Sequence, residues 1–270
     1  MMRRLSLAGG LAAAALWAVP AVPAAAQTTI GADVALNSQY VWRGLSYTNR
    51  PVIQPDVWIS ALGFTGGVWA NVEPGSYTGA DDISENGADG AGIAEIDGWI
   101  EYARTTGNLN WKLGWTIYTF DTNNDGFTAQ FDTHEFYGQA SISGLPFTPT
   151  LYAAYDVDKV KGLYLQPSVS RGVKVSPAMT VTFTALAGIS AGQEVSATDF
   201  SANFAKSGLV HMDFGAATSF SAGGISIAPQ FHVQWCHDDF TKIATPTTQH
   251  STKIWGGVTL SWSRALGASK

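Results

Sequence analysis

The sequence predicts an all-β chain: a transmembrane antiparallel up-and-down β-barrel of about twelve strands. Three observations carry this expectation. From Thr29 onward the apolar residues recur with a period of two rather than 3.6. The connections between the alternating segments are short and long by turns. Aromatic residues on the apolar parity gather near the segment ends.

The bulk composition sets the frame. Of 270 residues, only 13% are charged while 46% are hydrophobic and 29 are glycine, which suits a sheet with one apolar face and many tight turns. The first residues read as a secretory signal over 1–26. Arg3 and Arg4 precede the apolar stretch Leu5–Val19, and Ala24-Ala25-Ala26 forms a small-residue cleavage site before Gln27. The expected mature domain, 27–270, carries 13 basic and 21 acidic side chains, a net charge of −8, which argues against a nucleic-acid partner. Cys236 is the one cysteine, so no internal disulfide closes the fold. After the signal no run of 18 apolar residues remains for a transmembrane helix.

The alternation predicts strands near 29–42, 52–61, 64–72, 92–104, 109–119, 133–143, 147–157, 163–175, 180–190, 208–220, 225–237 and 252–263. The clearest pair is 92–104 with 109–119. Ala94, Ile96, Ile100 and Tyr102 share one parity, and Glu95, Asp97, Trp99 and Glu101 the other. With Thr106-Gly107 as the turn, Thr105 would oppose Asn108. That register sets Ile100 against Leu113, Tyr102 against Trp111, Glu101 against Lys112, and Trp99 over Gly114.

Leu62-Gly63, Thr106-Gly107, Gly144–Pro146, Ser176–Met179 and Ser221–Gly224 are short connections. Glu73–Ala91, Phe120–Asp132, Ala191–Ser207 and Asp238–Ser251 are long, and Asp158–Gly162 is the brief one on that side. An even strand count with all short turns at one end is the pattern of membrane barrels. The aromatics sharpen it. Tyr40, Trp42, Tyr155 and Trp235 fall toward the long loops; Phe64, Tyr102, Trp111, Phe147, Phe220 and Trp262 fall toward the short turns. Two such girdles fit two membrane interfaces, whereas a soluble sandwich would hold its aromatics mid-strand. Arg171 falls on the apolar parity, and a bulge near Gly172 would turn it inward.

The segment Ser38-Gln39-Tyr40-Val41-Trp42-Arg43-Gly44, followed by Gln54-Pro55-Asp56 and Gly66-Gly67-Val68-Trp69-Ala70-Asn71, resembles the N-terminal pattern of the TorF-type porins of Gram-negative bacteria. The resemblance covers about forty residues. It implies an outer-membrane barrel, and says more of location and architecture than of any solute.

The polar parity of each strand gives the expected pore lining. It holds Asp33, Asp56, Glu95, Asp97, Glu101, Glu135, Asp156 and Asp213 against Arg43, Lys112, Lys174 and Lys253, with Gln54, Tyr152, His211 and His232 among the neutral groups. An acid excess between low-dielectric walls enriches cations. Arg43, facing carboxylates such as Asp56, would set a transverse field at a constriction. Twelve strands lie between barrels that side chains fill and barrels that stay open, so an open and a plugged interior are both compatible with the sequence.

His211, Asp213 and His232 share a polar face and form a candidate acid–base or metal cluster, with no nucleophilic serine specified beside them. Asp121, Asn123, Asp125 and Asp132 match the spacing of a calcium loop, with an aspartate where the terminal glutamate belongs. Apart from that possible Ca²⁺ no cofactor is expected.

These readings converge on an expected passive channel for small hydrophilic solutes, mildly cation-preferring and not an enzyme. Its surroundings would be the lipids and lipopolysaccharide of a bacterial outer membrane. Three alternatives stay open. They are a barrel enzyme using His211/Asp213/His232, a plugged structural or surface-binding barrel, and a soluble exported β-protein.

Overall fold

In the computed structural model the structure describes residues 27–48, 50–75, 92–120, 132–177, 179–193, 204, 207–236 and 252–266. Twelve antiparallel staves close into a barrel. In chain order the strands are β1 (Thr29–Asn37), β2 (Tyr40–Trp42), β3 (Leu45–Thr48), β4 (Val52–Ala61), β5 (Phe64–Glu73), β6 (Gly92–Thr106), β7 (Leu109–Phe120) and β8 (Thr133–Ile142). They continue with β9 (Thr148–Asp156), β10 (Leu163–Ser176), β11 (Met179–Ala191), β12 (Gly208–Ala217), β13 (Phe220–Ala222), β14 (Ile225–Cys236) and β15 (Thr252–Ala265). Each wall strand pairs with its neighbours in sequence, and β1 pairs with β15 from Thr29↔Ala265 to Asn37↔Gly257 to seal the ring. Closure leaves no open sheet edge, so the backbone polar groups of the wall are satisfied within it.

Strands β12 and β13 form one stave, because both pair with β14 in one continuous register. The break between them faces Pro229, which has no N–H to give the ladder; only the Thr218 N–H to Pro229 carbonyl bond crosses there, at 3.2 Å. The remaining pair, β2 and β3, is not part of the wall.

Side chains sort by strand parity. Val57, Leu113 and Ile254 point outward and are 57%, 60% and 60% exposed, within a belt that includes Val34, Ile100, Phe136, Leu151, Phe183 and Phe231. Toward the short turns the belt ends in Phe64, Tyr102, Trp111, Phe147, Phe220 and Trp262, with Phe64, Tyr102 and Trp111 in ring contact. Tyr155 and Trp235 lie outward at the other end.

Four expectations are corrected. The first strand ends at Asn37 rather than at residue 42. Tyr40 and Trp42 are therefore buried inside the barrel and belong to no outer girdle. The β6–β7 register is offset by two residues. Thr106 opposes Leu109, so Gly107-Asn108 makes the turn, with Gly107 at φ 60. Ile100 then faces Trp115, Tyr102 faces Leu113, and Glu101 faces Gly114. An offset of two keeps every side chain on its expected face, and Lys112 still reaches Glu101 diagonally at 2.8 Å.

Gly114 is covered not by Trp99 but by Tyr137 of β8, while Trp99 lies over Gly67. The interior glycines thus make room for aromatic rings that stand along the wall. Arg171 keeps regular pairing with Phe183, and the bulge lies at Lys174/Ser176 instead. Arg171 stays on the outer face with its guanidinium 5.2 Å from the Phe147 ring centroid, near the short-turn rim, where an arginine can reach water.

The outer belt makes a quantitative demand. Val57→Arg, in the middle of β4, is expected to lower the unfolding free energy in phospholipid vesicles by about 2–4 kcal/mol. Denaturant titration measures this. A change within about 0.5 kcal/mol, as on a water-facing surface, would show that this face does not meet lipid.

Candidate functional site: a hairpin latched across the barrel

The inner wall would leave a passage if nothing entered it. Between β1 and β4, however, the chain turns inward as the hairpin β2–β3. Its tip is Trp42-Arg43-Gly44-Leu45, with Arg43 at φ 47 and Gly44 at φ 93. Two successive left-handed residues make the primed turn that matches strand twist. Gly44 is required twice over: its φ favours glycine, and a methyl group there would sit 2.8 Å from His211 Cβ.

The hairpin spans the interior. On its near side Tyr40, Trp42 and Tyr47 pack with Val52 of β4 and Trp69 of β5. On its far side Leu45 packs with Tyr152 of β9, Ala154, Tyr164 of β10, Phe204 and Val210 of β12. The arginine at the tip completes the crossing. Its two terminal nitrogens each lie 2.7 Å from an oxygen of Glu135 on β8. The Trp42 and Tyr164 ring centroids lie 4.3 and 4.4 Å from its central carbon. Tyr118 Oη donates to Glu135 Oε2 at 2.9 Å. Both charged side chains are buried, so their attraction acts with little screening, and the bidentate geometry offsets part of the desolvation. Behind the tip, the Cys236 thiol donates to the Gly44 carbonyl at 2.8 Å, and Lys253 Nζ lies 3.3 Å from the same sulfur.

A chain of side-chain amides also runs along the interior. Gln230 donates to Asn37 at 3.2 Å, Asn37 to Gln54 at 2.8 Å, Gln54 to Asn71 at 3.1 Å and Asn71 to Glu73 at 3.4 Å. It bridges β14 to β1 over β15, where Gly257 leaves space beside the Asn37 amide.

The fourteen residues expected to line a pore all stand inside the barrel. Twelve of them are buried; Glu101 and Lys112 are half-buried. They divide into separate groups. Asp33 and Asp56 are direct partners across β1 and β4, each accepting an indole N–H, from Trp58 at 2.8 Å and Trp99 at 3.3 Å. Glu95 accepts from Tyr40 Oη at 2.8 Å, and Asp97 lies two residues further along β6. Among the described residues no lysine or arginine pairs with these four carboxylates.

Arg43 pairs with Glu135 and not with carboxylates on the near wall such as Asp56, because the hairpin carries it across the interior. Asp156 is structural: it accepts backbone N–H groups from Asp158, Val160 and Lys161 at 3.0, 2.9 and 3.2 Å, tying off the turn after β9.

The histidines separate as well. His232 Nδ1 lies 2.8 Å from Asp213 Oδ1, and its ring stacks on Trp255 at 4.1 Å. His211 instead meets Tyr164 Oη at 2.7 Å and walls the hairpin tip. The expected three-residue cluster is therefore one dyad and one partner of the hairpin. Of the calcium-loop residues, Asp121, Asn123 and Asp125 lie outside the described residues. Asp132 accepts the Phe120 N–H at 3.3 Å.

The sequence alone did not reveal the hairpin and its aromatic lining, Trp69 and Phe204, or the inward position of Tyr40, Trp42 and Tyr47. One signal was available, since Arg43-Gly44 is an x-Gly turn flanked by the alternating segments Tyr40–Trp42 and Leu45–Tyr47.

Fold and interior together define a closed β-barrel with an apolar outside, a polar inside and an inserted hairpin. The chain belongs to a bacterial family of unknown function, Gcw_chp, whose model matches residues 21–261. No curated protein matches the sequence. Among solved structures it is similar to an outer-membrane channel from Pseudomonas putida F1, with a TM-score of 0.48 and 10% identity over 93% of this chain and 99% of that one. It is also similar to LpxR from Salmonella typhimurium, with a TM-score of 0.49 and 9% identity over 87% and 99% of the two chains. For an anion-selective porin from Comamonas acidovorans the values are 0.35 and 10%, over 89% and 98%.

The latch predicts its own energetics. Arg43→Ala leaves Glu135 buried without its partner and is expected to destabilise the barrel by about 3–5 kcal/mol. Replacing both, as Arg43→Met with Glu135→Leu, should recover most of that loss. Urea unfolding of the three proteins measures it, and equal stability of single and double variants would disprove the coupling.

Proposed function

We propose that this chain is a gated outer-membrane channel of the TorF type for small hydrophilic solutes, exported by its N-terminal signal. It is mildly cation-preferring and does no catalysis. The observation that carries the reading is the contrast of faces: an apolar, aromatic-rimmed outside around an inside rich in carboxylates, amides and hydroxyls. A soluble protein would place the polar face outward. The hairpin β2–β3 makes the resting state narrow, and passage requires it to shift. Asp33, Asp56, Glu95 and Asp97, on β1, β4 and β6, form the wall past which solute moves and set the preference for cations. Outer-membrane lipids and lipopolysaccharide are the surroundings this surface suits, and Ca²⁺ at the Asp121–Asp132 loop is a secondary proposal.

The enzyme alternative has one observation in its favour, the Asp213–His232 dyad. His232 Nε2 contacts no serine, threonine or cysteine among the described residues, so it has no nucleophile to activate. We therefore read the dyad as part of the polar wall.

Planar-bilayer recording tests the channel. The full protein should give small, infrequent steps. Replacing Tyr40–Thr48 by a short glycine linker should give steady openings with reversal potentials toward the cation gradient. Asp33→Asn with Asp56→Asn should reduce that selectivity. No conductance from either the full protein or the linker variant would sink the channel reading, and extraction into buffer without detergent would sink the membrane location.

A further inference from the structure

The Arg43 side chain lies in a pocket whose other walls come from the barrel. Glu135 of β8 supplies a carboxylate aimed at both terminal nitrogens, at 2.7 Å each. Tyr118 of β7 fixes that carboxylate at 2.9 Å, and Tyr164 of β10 supplies a ring face at 4.4 Å. Tyr152 of β9 brings a buried hydroxyl beside the guanidinium. Four consecutive staves thus build a receptor for one planar cation. Bidentate carboxylate recognition with ring stacking selects a guanidinium over a lysine-type ammonium.

The tethered occupant does not use the pocket fully. Arg43 is held at φ 47, a conformation that side-chain-bearing residues rarely adopt, and its buried Nε finds no acceptor. A free guanidinium compound carries neither the backbone constraint nor the fixed approach that leaves Nε unpaired. It can meet the same carboxylate, ring and Tyr152 hydroxyl while its remaining nitrogen is free to turn toward an acceptor.

We infer that the Glu135–Tyr118–Tyr152–Tyr164 pocket is a recognition site for small solutes bearing a guanidinium group. Arg43 occupies it as a built-in stand-in that such a solute displaces to open its own path. The second half rests on the channel reading; the first does not. The residues that bind Arg43 are the residues that would bind the solute, so closure and recognition exclude each other. This is the arrangement by which a ligand shifts a two-state equilibrium, through affinity for the state in which the hairpin has left.

The test uses the full barrel in detergent and calorimetric titration with L-arginine. Citrulline is the control, since it has the same shape with an uncharged urea in place of guanidinium. With Arg43→Ala the pocket is vacated, and L-arginine should bind saturably and at least about tenfold more tightly than citrulline, the margin of about one bidentate charged contact. Adding Glu135→Gln to Arg43→Ala should abolish the binding. Arg43→Gln, which keeps the volume of the tip, serves as a second background, and heat-modifiable migration on gels verifies that each barrel is closed.

No saturable L-arginine binding in closed barrels of either background, or equal binding of citrulline, overturns the recognition site. In bilayers, L-arginine should raise the open fraction of the unmodified protein where citrulline does not. Equal responses overturn the displacement, even if the vacated pocket binds. A conductance failure in all variants with calorimetric binding intact overturns the channel reading and leaves the pocket standing.

Discussion

One buried ion pair organises the inside of this barrel. A closed antiparallel ladder satisfies the backbone of the wall but says nothing of the space it encloses. That space holds an inserted hairpin whose Arg43 meets Glu135 on the far side, with the Trp42 and Tyr164 ring centroids 4.3 and 4.4 Å from its central carbon. An arginine buried without a partner would be untenable in such surroundings. The pair therefore dictates where the tip rests, and the tip dictates the rest: Leu45 against Phe204 and Val210, Gly44 beneath His211, and Tyr40 against Glu95. Side chains that look like separate polar residues along the sequence become contacts of one inserted element.

The charge inside is uneven as a result. Glu135 is matched by Arg43 and Glu101 by Lys112, both on the side of β6 to β8. Asp33 and Asp56 are directly opposed across β1 and β4, and each is held by an indole N–H. Glu95 accepts a tyrosine hydroxyl, and among the described residues none of these three or Asp97 pairs with a lysine or arginine.

The wall was legible in the sequence and the inserted element was not. Period-two alternation is a local property, so Val57, Leu113 and Ile254 could be assigned to the outside, and Glu95, Asp97 and Glu135 to the inside, strand by strand. The β6–β7 offset of two passed unnoticed because parity survives it; turn chemistry at Thr106-Gly107-Asn108 admits either placement, and the strands choose. Tyr40 and Trp42 misled for a deeper reason. Aromatic residues at a strand end suit a membrane rim and a packed interior equally, and contacts far along the chain, of Tyr40 with Glu95 and of Trp42 with Tyr118, decide between them. His211 and His232 were separated for the same reason, since partners on other staves, not spacing along the strand, determine what each ring touches.

The position of the hairpin in the chain has a consequence for how the molecule is made. It follows the first wall strand, yet the groups that receive it arrive late: Glu135 is 92 residues on, and the thiol bonded to the Gly44 carbonyl is 192 residues on. The seam between β1 and β15 likewise joins the two ends of the described chain. Contacts this remote carry a large loop-closure entropy and form slowly. The near-side contacts with Val52 and Trp69 are close in sequence, whereas the latch at the tip needs staves from far along the chain, so the two halves of the crossing differ in how much chain each must close.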